Sequence, residues 1–514
     1  MTTLELTGSS LSPEALWKFS QLALNPAARP KIVISPKARE QISAAERLVA
    51  DIVKKNKPVY GINTGFGKFA EVAISQENLT SLQHNLILSH CAGTGPLLPR
   101  DLVLAQWVLR LNTLCRGNSG IRLSTVDYIL KLIEANVFAE VPSRGSVGAS
   151  GDLAPAAHAT LVILGEGFCQ YPTKDGFIRM RSAEALSKIG LAPLTLAPKE
   201  GLSLINGTQL TTALANKLFV EGKNLVAAAN FIAALSLEAL KGSRAIVDPR
   251  ILKVRNQPGA LECGAQIAQW LGAQSEVSLS HADCGKVQDP YSLRCSPQVH
   301  GAIFDEFSKA AELLNRELNA TTDNPLLFVE DSASLSGGNF HAIYTARVCD
   351  ALASALTTLS NISERRMALA MSPESNGGLP AFLVRDGGLN SGFMMAQVTA
   401  AALVSESKSL CFPASVDSIP TSDDREDHVS MGPGAGHKAL QIAFNTNRVL
   451  ALELMAAAQA LDFLRPLKSS PKIEKAHSLF RQHVSFLEND RVLSTDIESA
   501  ANFIARSLFN KDLS

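Results

Sequence analysis

A chain of 514 residues, 46% hydrophobic and with a mean hydropathy of +0.10, is long enough to bury a large core as one big domain or as two to three ordinary ones. Its 48 basic and 48 acidic residues cancel, which excludes the summed positive field that nucleic acid or an anionic membrane surface selects and favours a small-molecule partner. Eight cysteines without C-x-x-C spacing, and a start with neither a basic run nor an apolar h-region, point to reduced thiols in a cytoplasmic protein.

To about residue 201, glycine- and proline-rich loops (60–67, 93–99 and 141–155) interrupt short helices, and strand-like patterning is confined to residues 31–34 and 176–180. From Gly207 onward helical periodicity takes over. Residues 210–240 are rich in Ala and Leu; Ile303, Phe304, Phe307, Ala311, Leu314 and Leu318 recur at three- and four-residue steps; so do Val348, Leu352, Leu356, Leu359 and Ile362; and residues 439–464 are again Ala- and Leu-rich. The nearly charge-free stretches 225–237 and 393–404 fall short of the ~18 residues of a membrane span, so both are expected as buried helices. The expectation is an all-α protein in two parts: residues 1–200, loop-rich, mostly helical and bearing the site, and residues 201–514, a long-helix bundle core.

The segment Gly145-Ser-Val-Gly-Ala-Ser-Gly-Asp-Leu-Ala-Pro155 packs three glycines around Ala149-Ser150. Its plain structural reading is a helix-leading turn, with Ser150 or Asp152 as N-cap ahead of residues 153–164. It lacks the Gly-Lys-Ser/Thr ending of a phosphate-binding loop, and Gly151 directly after Ser150 rules out the Gly-x-Ser-x-Gly elbow. Ala149-Ser150-Gly151 instead resembles the triad from which the histidine and phenylalanine ammonia-lyase family builds a 4-methylideneimidazole-5-one electrophile. The resemblance spans about residues 58–467 in seven motifs in order: Tyr60-Gly-Ile-Asn-Thr-Gly-Phe-Gly67, Asn85-Leu-Ile-Leu-Ser-His-Cys-Ala-Gly93, the triad segment, Lys199-Glu-Gly-Leu…Ile-Asn-Gly-Thr-Gln209, Val287-Gln-Asp-Pro-Tyr-Ser-Leu-Arg-Cys295, Ser336-Gly-Gly-Asn-Phe-His341, and Ser415-Val-Asp-Ser…Glu-Asp-His-Val-Ser-Met431. In such a triad the Gly151 nitrogen closes a five-membered ring on the Ala149 carbonyl carbon and Ser150 loses water, so bulk at either flank is forbidden.

The resemblance implies roles by position. Tyr60, by its surroundings alone a turn residue, matches the base that takes the β-proton, so its phenol, with an ordinary pKa of about 10, is expected to be lowered by its neighbours. Arg294, by default a surface ion-pair partner, matches the group that grips the substrate carboxylate, for which a planar fork suits better than lysine. Asn206, Gln288 and Tyr291 match polar groups around the electrophile and the amino group, and Phe340 matches the aromatic wall; each has a bland reading as core or as a satisfier of buried backbone. His90, after Ser89, and Glu426 match the groups that bond an imidazole in histidine-selective members, where phenylalanine-selective ones carry an apolar pair at the first site.

The implied activity is elimination of ammonia from L-histidine to give trans-urocanate, a step of histidine catabolism. The implied assembly is a homotetramer with D2 symmetry, residues 201–514 forming its core and each site borrowing residues from three subunits; no external cofactor is needed, and no H-E-x-x-H or similar spacing points to a metal. Ile343, Phe412 and the stretch Ser422-Asp-Asp-Arg425 depart from the histidine-selective pattern and bear on substrate preference. A tyrosine ammonia-lyase or an aminomutase stays open, since His90 also bonds a phenol. An inactive helical scaffold is the alternative of another class; the intact Ala149-Ser150-Gly151, Tyr60 and Arg294 argue against it.

Overall fold

Alanine and leucine recur at three- and four-residue intervals along the long helices, and the computed structural model, which describes residues 3–55, 58–65, 69 and 71–506, is 58% helical. In chain order the helices are α1 (Pro13–Ser20), α2 (Pro36–Lys55), α3 (Leu79–His90), α4 (Arg100–Leu114), α5 (Leu123–Glu134), α6 (Leu153–Thr160), α7 (Ser182–Lys188), α8 (Glu200–Ile205), α9 (Gln209–Ala239), α10 (Pro249–Arg255), α11 (Pro258–Leu271), α12 (Glu276–Leu279), α13 (Tyr291–Arg294), α14 (Ser296–Glu317), α15 (Ile343–Ala370), α16 (Met394–Leu410), α17 (Gly432–Phe463), α18 (Pro471–Phe480) and α19 (Ser494–Ala505). Ser-Pro and Asp-Pro pairs fix several starts: Ser12, Asp248 and Ser470 accept the N–H of Ala15, Arg250 and Ile473, each with proline at the first helical position.

The all-α expectation holds, and the four periodic stretches are α9, α14, α15 and α17. Short strands form four small sheets: β1 (Thr3–Leu6) beside β2 (Lys31–Ile34) in parallel, and three antiparallel sets, β3 (Thr94–Leu97) with β5 (Pro142–Arg144), β4 (Phe138–Ala139) with β6 (Phe168–Thr173) and β7 (Gly176–Arg181), and β8 (Leu326–Phe328) with β9 (Ala333–Leu335). The expected strands are β2 and β7. Of the first expected loop, Phe66 and Gly67 lie outside the described residues.

Two expectations need correction. Residues 393–404 fall mostly on α16, but only Ala396, Ala400, Val404 and Ser407 of that helix are buried: its apolar positions run around the helix, and hydrophobicity alone does not say which face finds a neighbour. The second is length, since α9 is, by span and hydropathy, long enough to cross a bilayer; 72% of its most apolar window is buried inside the protein, as for a core helix.

The chain forms two compact units. Unit 1 comprises Met1–Lys217, Ala311–Asp350 and Pro413–His437. Its centre is α4, buried at all 15 positions and packed against α1 and β4. Helices α3, α6 and α8 pack pairwise, which places the end of α3 (His90), the loop before α6 (the triad) and the residue after α8 (Asn206) at one locality. A fully buried ion pair, Lys199 Nζ to Asp323 Oδ2 at 3.1 Å, fixes the start of α8. Lys199 is also held at φ +73°, a left-handed backbone that only a well-determined setting sustains.

Unit 2 comprises Leu218–Ala310, Ala351–Phe412 and Lys438–Ser514. Here Glu453 of α17 accepts from Ser236 of α9 (2.7 Å), from Ser363 (2.6 Å) and bidentately from Arg366 (2.5 and 2.9 Å), both on α15. One buried carboxylate thus ties three long helices together, its charge answered by an equally buried guanidinium.

Candidate active site

The loop before α6 takes positive φ four times, at Gly145 (φ +125°), Gly148 (φ +75°), Ser150 (φ +50°) and Gly151 (φ +84°). A Cβ on Gly151 would stand 2.3 Å from the Gly207 carbonyl oxygen, so only glycine fits where these two backbones touch. The backbones are bonded there: Asp152 N donates to Gly207 O at 2.7 Å, and Gly207 N to Ser150 O at 3.4 Å. Asn206 Nδ2 donates to the same Ser150 oxygen at 3.0 Å. The Ser150 carbonyl therefore faces two N–H donors, as a group does where negative charge is to develop. The Ser150 hydroxyl donates to Glu426 Oε1 at 2.8 Å.

Neither cap candidate caps α6 with its side chain. Asp152 holds the N-cap position, but its carboxylate accepts from Thr211 N (2.7 Å) and Thr211 Oγ1 (2.8 Å) at the start of α9. Burial pushes this carboxyl up to about 6, against the pull of the Thr211 bonds and of Arg110. The helix ends at Thr160, short of the expected residue 164.

Glu426 is the most heavily bonded group of the site. Its second oxygen accepts from Thr421 Oγ1 at 2.8 Å and Ser422 Oγ at 2.6 Å. Burial pushes the carboxyl up, but the hydroxyls of Ser422, Thr421 and Ser150, with the charge of His90, outweigh it and hold Glu426 below the ordinary range, hence ionised. The turn that brings Thr421 back against Glu426 carries left-handed residues at Ser422, Asp423 and Asp424. His90 Nδ1 lies 2.8 Å from the Leu86 carbonyl oxygen, which can only accept, so that nitrogen carries a proton. The loop after His90 is held by His158 of α6, whose Nε2 accepts the Gly93 N–H at 3.0 Å.

Unit 1 thus joins Ser150, Asn206 and Glu426 by direct hydrogen bonds and sets His90 within electrostatic reach. Phe340, half-buried ahead of α15, is linked to this group by its neighbour: the His341 ring stacks on His428 at 5.5 Å, two residues beyond Glu426. Tyr60 is half-buried in the turn over residues 60–63. Gln288, Tyr291 and Arg294 belong to unit 2, where Gln288 is exposed and Tyr291 is 72% exposed. The Arg294 guanidinium lies 4.8 Å from the Tyr291 ring centroid, so α13 presents cation and phenol together. Among the described residues no group of three or more His, Cys, Asp or Glu is placed to hold a metal ion.

Sequence reasoning missed Arg110, Thr211, Thr421 and Ser422. The last two precede Glu426 by five and four residues, a spacing that signals a carboxylate bonded to its own loop only once the left-handed turn is known.

The sequence profile of the family described as aromatic amino acid lyase matches residues 17–482. The histidine ammonia-lyase of Pseudomonas fluorescens is 48% identical over 474 residues, 92% of each chain. Among solved structures, histidine ammonia-lyase from Trypanosoma cruzi is similar with a TM-score of 0.91 and 40% identity, covering 100% of this chain and 95% of its own. Tyrosine aminomutase from Streptomyces globisporus gives a TM-score of 0.91 at 32% identity, covering 99% and 98%.

Proposed function

Because this chain belongs to the aromatic amino acid lyase family, we propose that it is a histidine ammonia-lyase, eliminating ammonia from L-histidine to give trans-urocanate. The observation that carries the histidine reading is Glu426: a carboxylate kept ionised by three hydroxyls, beside His90, is a charged acceptor for an imidazole N–H, and a plain phenyl ring would leave it unanswered.

The triad fits the family's self-made 4-methylideneimidazole-5-one. Gly151 has no room for a side chain, Ser150 O faces two donors, and the Ser150 hydroxyl, the group that must leave as water, is held by the Glu426 carboxylate. Asn206 Nδ2 and Gly207 N would hold the group. When formed, it supplies the electron sink that an external cofactor otherwise brings. Tyr60 takes the β-proton, the step that needs a base in reach of a barely acidic carbon. Arg294 binds the substrate carboxylate through its planar fork, Gln288 and Tyr291 orient the amino group, and Phe340 walls the site. The wide exposure of Gln288 and Tyr291 supports the family's homotetramer, in which each site is completed by residues of other subunits. Eight unpaired cysteines suit a reducing cytoplasm.

The test is incubation of the purified protein with L-histidine, L-tyrosine and L-phenylalanine in parallel, followed in the ultraviolet beside a Ser150→Ala control. Urocanate from histidine alone, lost in the control, is the expected result. Coumarate or cinnamate instead keeps the family and overturns the substrate; no product from any of the three overturns the activity.

A further inference from the structure

Arg110 stands on α4 and is 2% exposed, yet among the described residues no carboxylate lies within ion-pair distance of its guanidinium. Its Nη1 donates to the Asn206 carbonyl at 2.5 Å, while Nη2 is buried without a partner. Asp323 and Asp152 balance the charge only from farther off; burial pushes the guanidinium down to about 10, where it is still a cation at neutral pH. An apolar side chain would fill this place without burying a charge, so packing alone gives no reason for the arginine.

The carbonyl that Arg110 bonds is one end of a peptide unit whose other end is the Gly207 N–H, and that N–H donates to Ser150 O at 3.4 Å. The side chain of the same Asn206 donates to that oxygen at 3.0 Å. A cation bonded to a peptide carbonyl draws electron density from its nitrogen and strengthens the N–H as a donor, so the two bonds reinforce each other through the amide.

We propose that Arg110 is a positioning residue that tunes the electrophile from behind: acting through the Asn206–Gly207 peptide, it aligns and polarises the two donors on the Ser150 carbonyl and so deepens the electron sink. The inference rests on the reading that Ala149-Ser150-Gly151 matures, and it adds to it a group that touches neither substrate nor the reacting atoms.

The experiment compares the full-length wild type with Arg110→Met and Arg110→Lys. Intact mass reports maturation as the loss of two water masses. The second readout is the rate at which 2-mercaptoethanol adds: thiolate sulfur bonds to the methylidene carbon, the double-bond electrons move toward the Ser150 carbonyl oxygen, and solvent returns a proton. The third is kcat and KM for L-histidine. Arg110→Met is expected to lose the two waters but to slow thiol addition and kcat by about tenfold or more, a fraction of what deleting an oxyanion donor does, with KM little changed. Arg110→Lys, which keeps charge and one donor, is expected to recover most of the addition rate. Wild-type addition and kcat in Arg110→Met overturn the proposal, and so does Arg110→Lys as slow as Arg110→Met. Should Arg110→Met not fold, Arg110→Lys decides alone: matured with near-wild-type addition supports the proposal, and failure to mature overturns it. A wild type that has lost no water overturns the triad reading itself, which the mass alone reveals.

Discussion

Glu426 carries three hydroxyls on two oxygens, and one of these, Ser422, lies in the stretch where the sequence departs from the pattern of its histidine-selective relatives. The departure itself lies in Asp423-Asp424-Arg425; Ser422 keeps the serine of that pattern and in the fold is a ligand of the carboxylate. Ser150, Asn206, His90 and Glu426 were legible because each sits in a motif. Arg110 and Thr421 were not, because one acts on a backbone carbonyl 96 residues away and the other through a left-handed turn. Glu426→Gln keeps the shape and removes the charge; kcat/KM for L-histidine is expected to fall about a hundredfold, on the scale of a lost charged hydrogen bond. A drop of less than threefold in steady-state kinetics would show that Glu426 does not meet the ring. Gly151→Ala places a methyl 2.3 Å from the Gly207 oxygen on a backbone at φ +84°. Its intact mass is expected to retain both waters with helicity by circular dichroism unchanged; a matured mass would refute the close-approach argument.

Among elements, the long helices were readable because apolar spacing survives any arrangement of neighbours, while the burial of α16 and the early end of α6 depend on what packs where. The pairwise contact of α3, α6 and α8 has no local signal at all, although it sets the site. Its anchor is the Lys199–Asp323 pair, both side chains fully buried. Lys199→Met strands a buried carboxylate and is expected to destabilise by about 3–5 kcal/mol, whereas Lys199→Met with Asp323→Leu regains most of it. Denaturant midpoints of the two variants check this, and a double variant no better than the single one contradicts it.

At the scale of the whole molecule, four of the five boundaries between the two units fall inside α9, α14, α15 and α17, whose periodicity runs through unbroken, so no change of composition marks them; the fifth, between Phe412 and Pro413, lies in the loop after α16. Acid sensitivity also belongs to this scale. Burial, with Arg144, pushes the His437 imidazole down to about 4, and burial with Arg366 pushes His300 well below its ordinary value. Both are neutral when folded and take up a proton on unfolding. The stability this gives is complete above about pH 6.5 and is lost as pH falls toward 4; Asp152, raised to about 6, has the opposite slope. Unfolding midpoints measured from pH 7 to 4 are expected to drop. His437→Gln is expected to flatten the curve by up to about 3 kcal/mol, and an unchanged slope would remove His437 from the account. Sedimentation is expected to give four times the 54.8 kDa chain mass, and a monomer of full activity would exclude shared sites.

The bond between Ser150 and Glu426 joins residues 276 positions apart in a single unit. A ribosome adding ~5–20 residues per second takes roughly 15–60 s to travel that distance. For that interval the triad is an ordinary stretch of nascent peptide, and a transcript ending before codon 426 yields a chain whose serine never meets its carboxylate. Chemistry that looks local on the page is scheduled by the last fifth of translation.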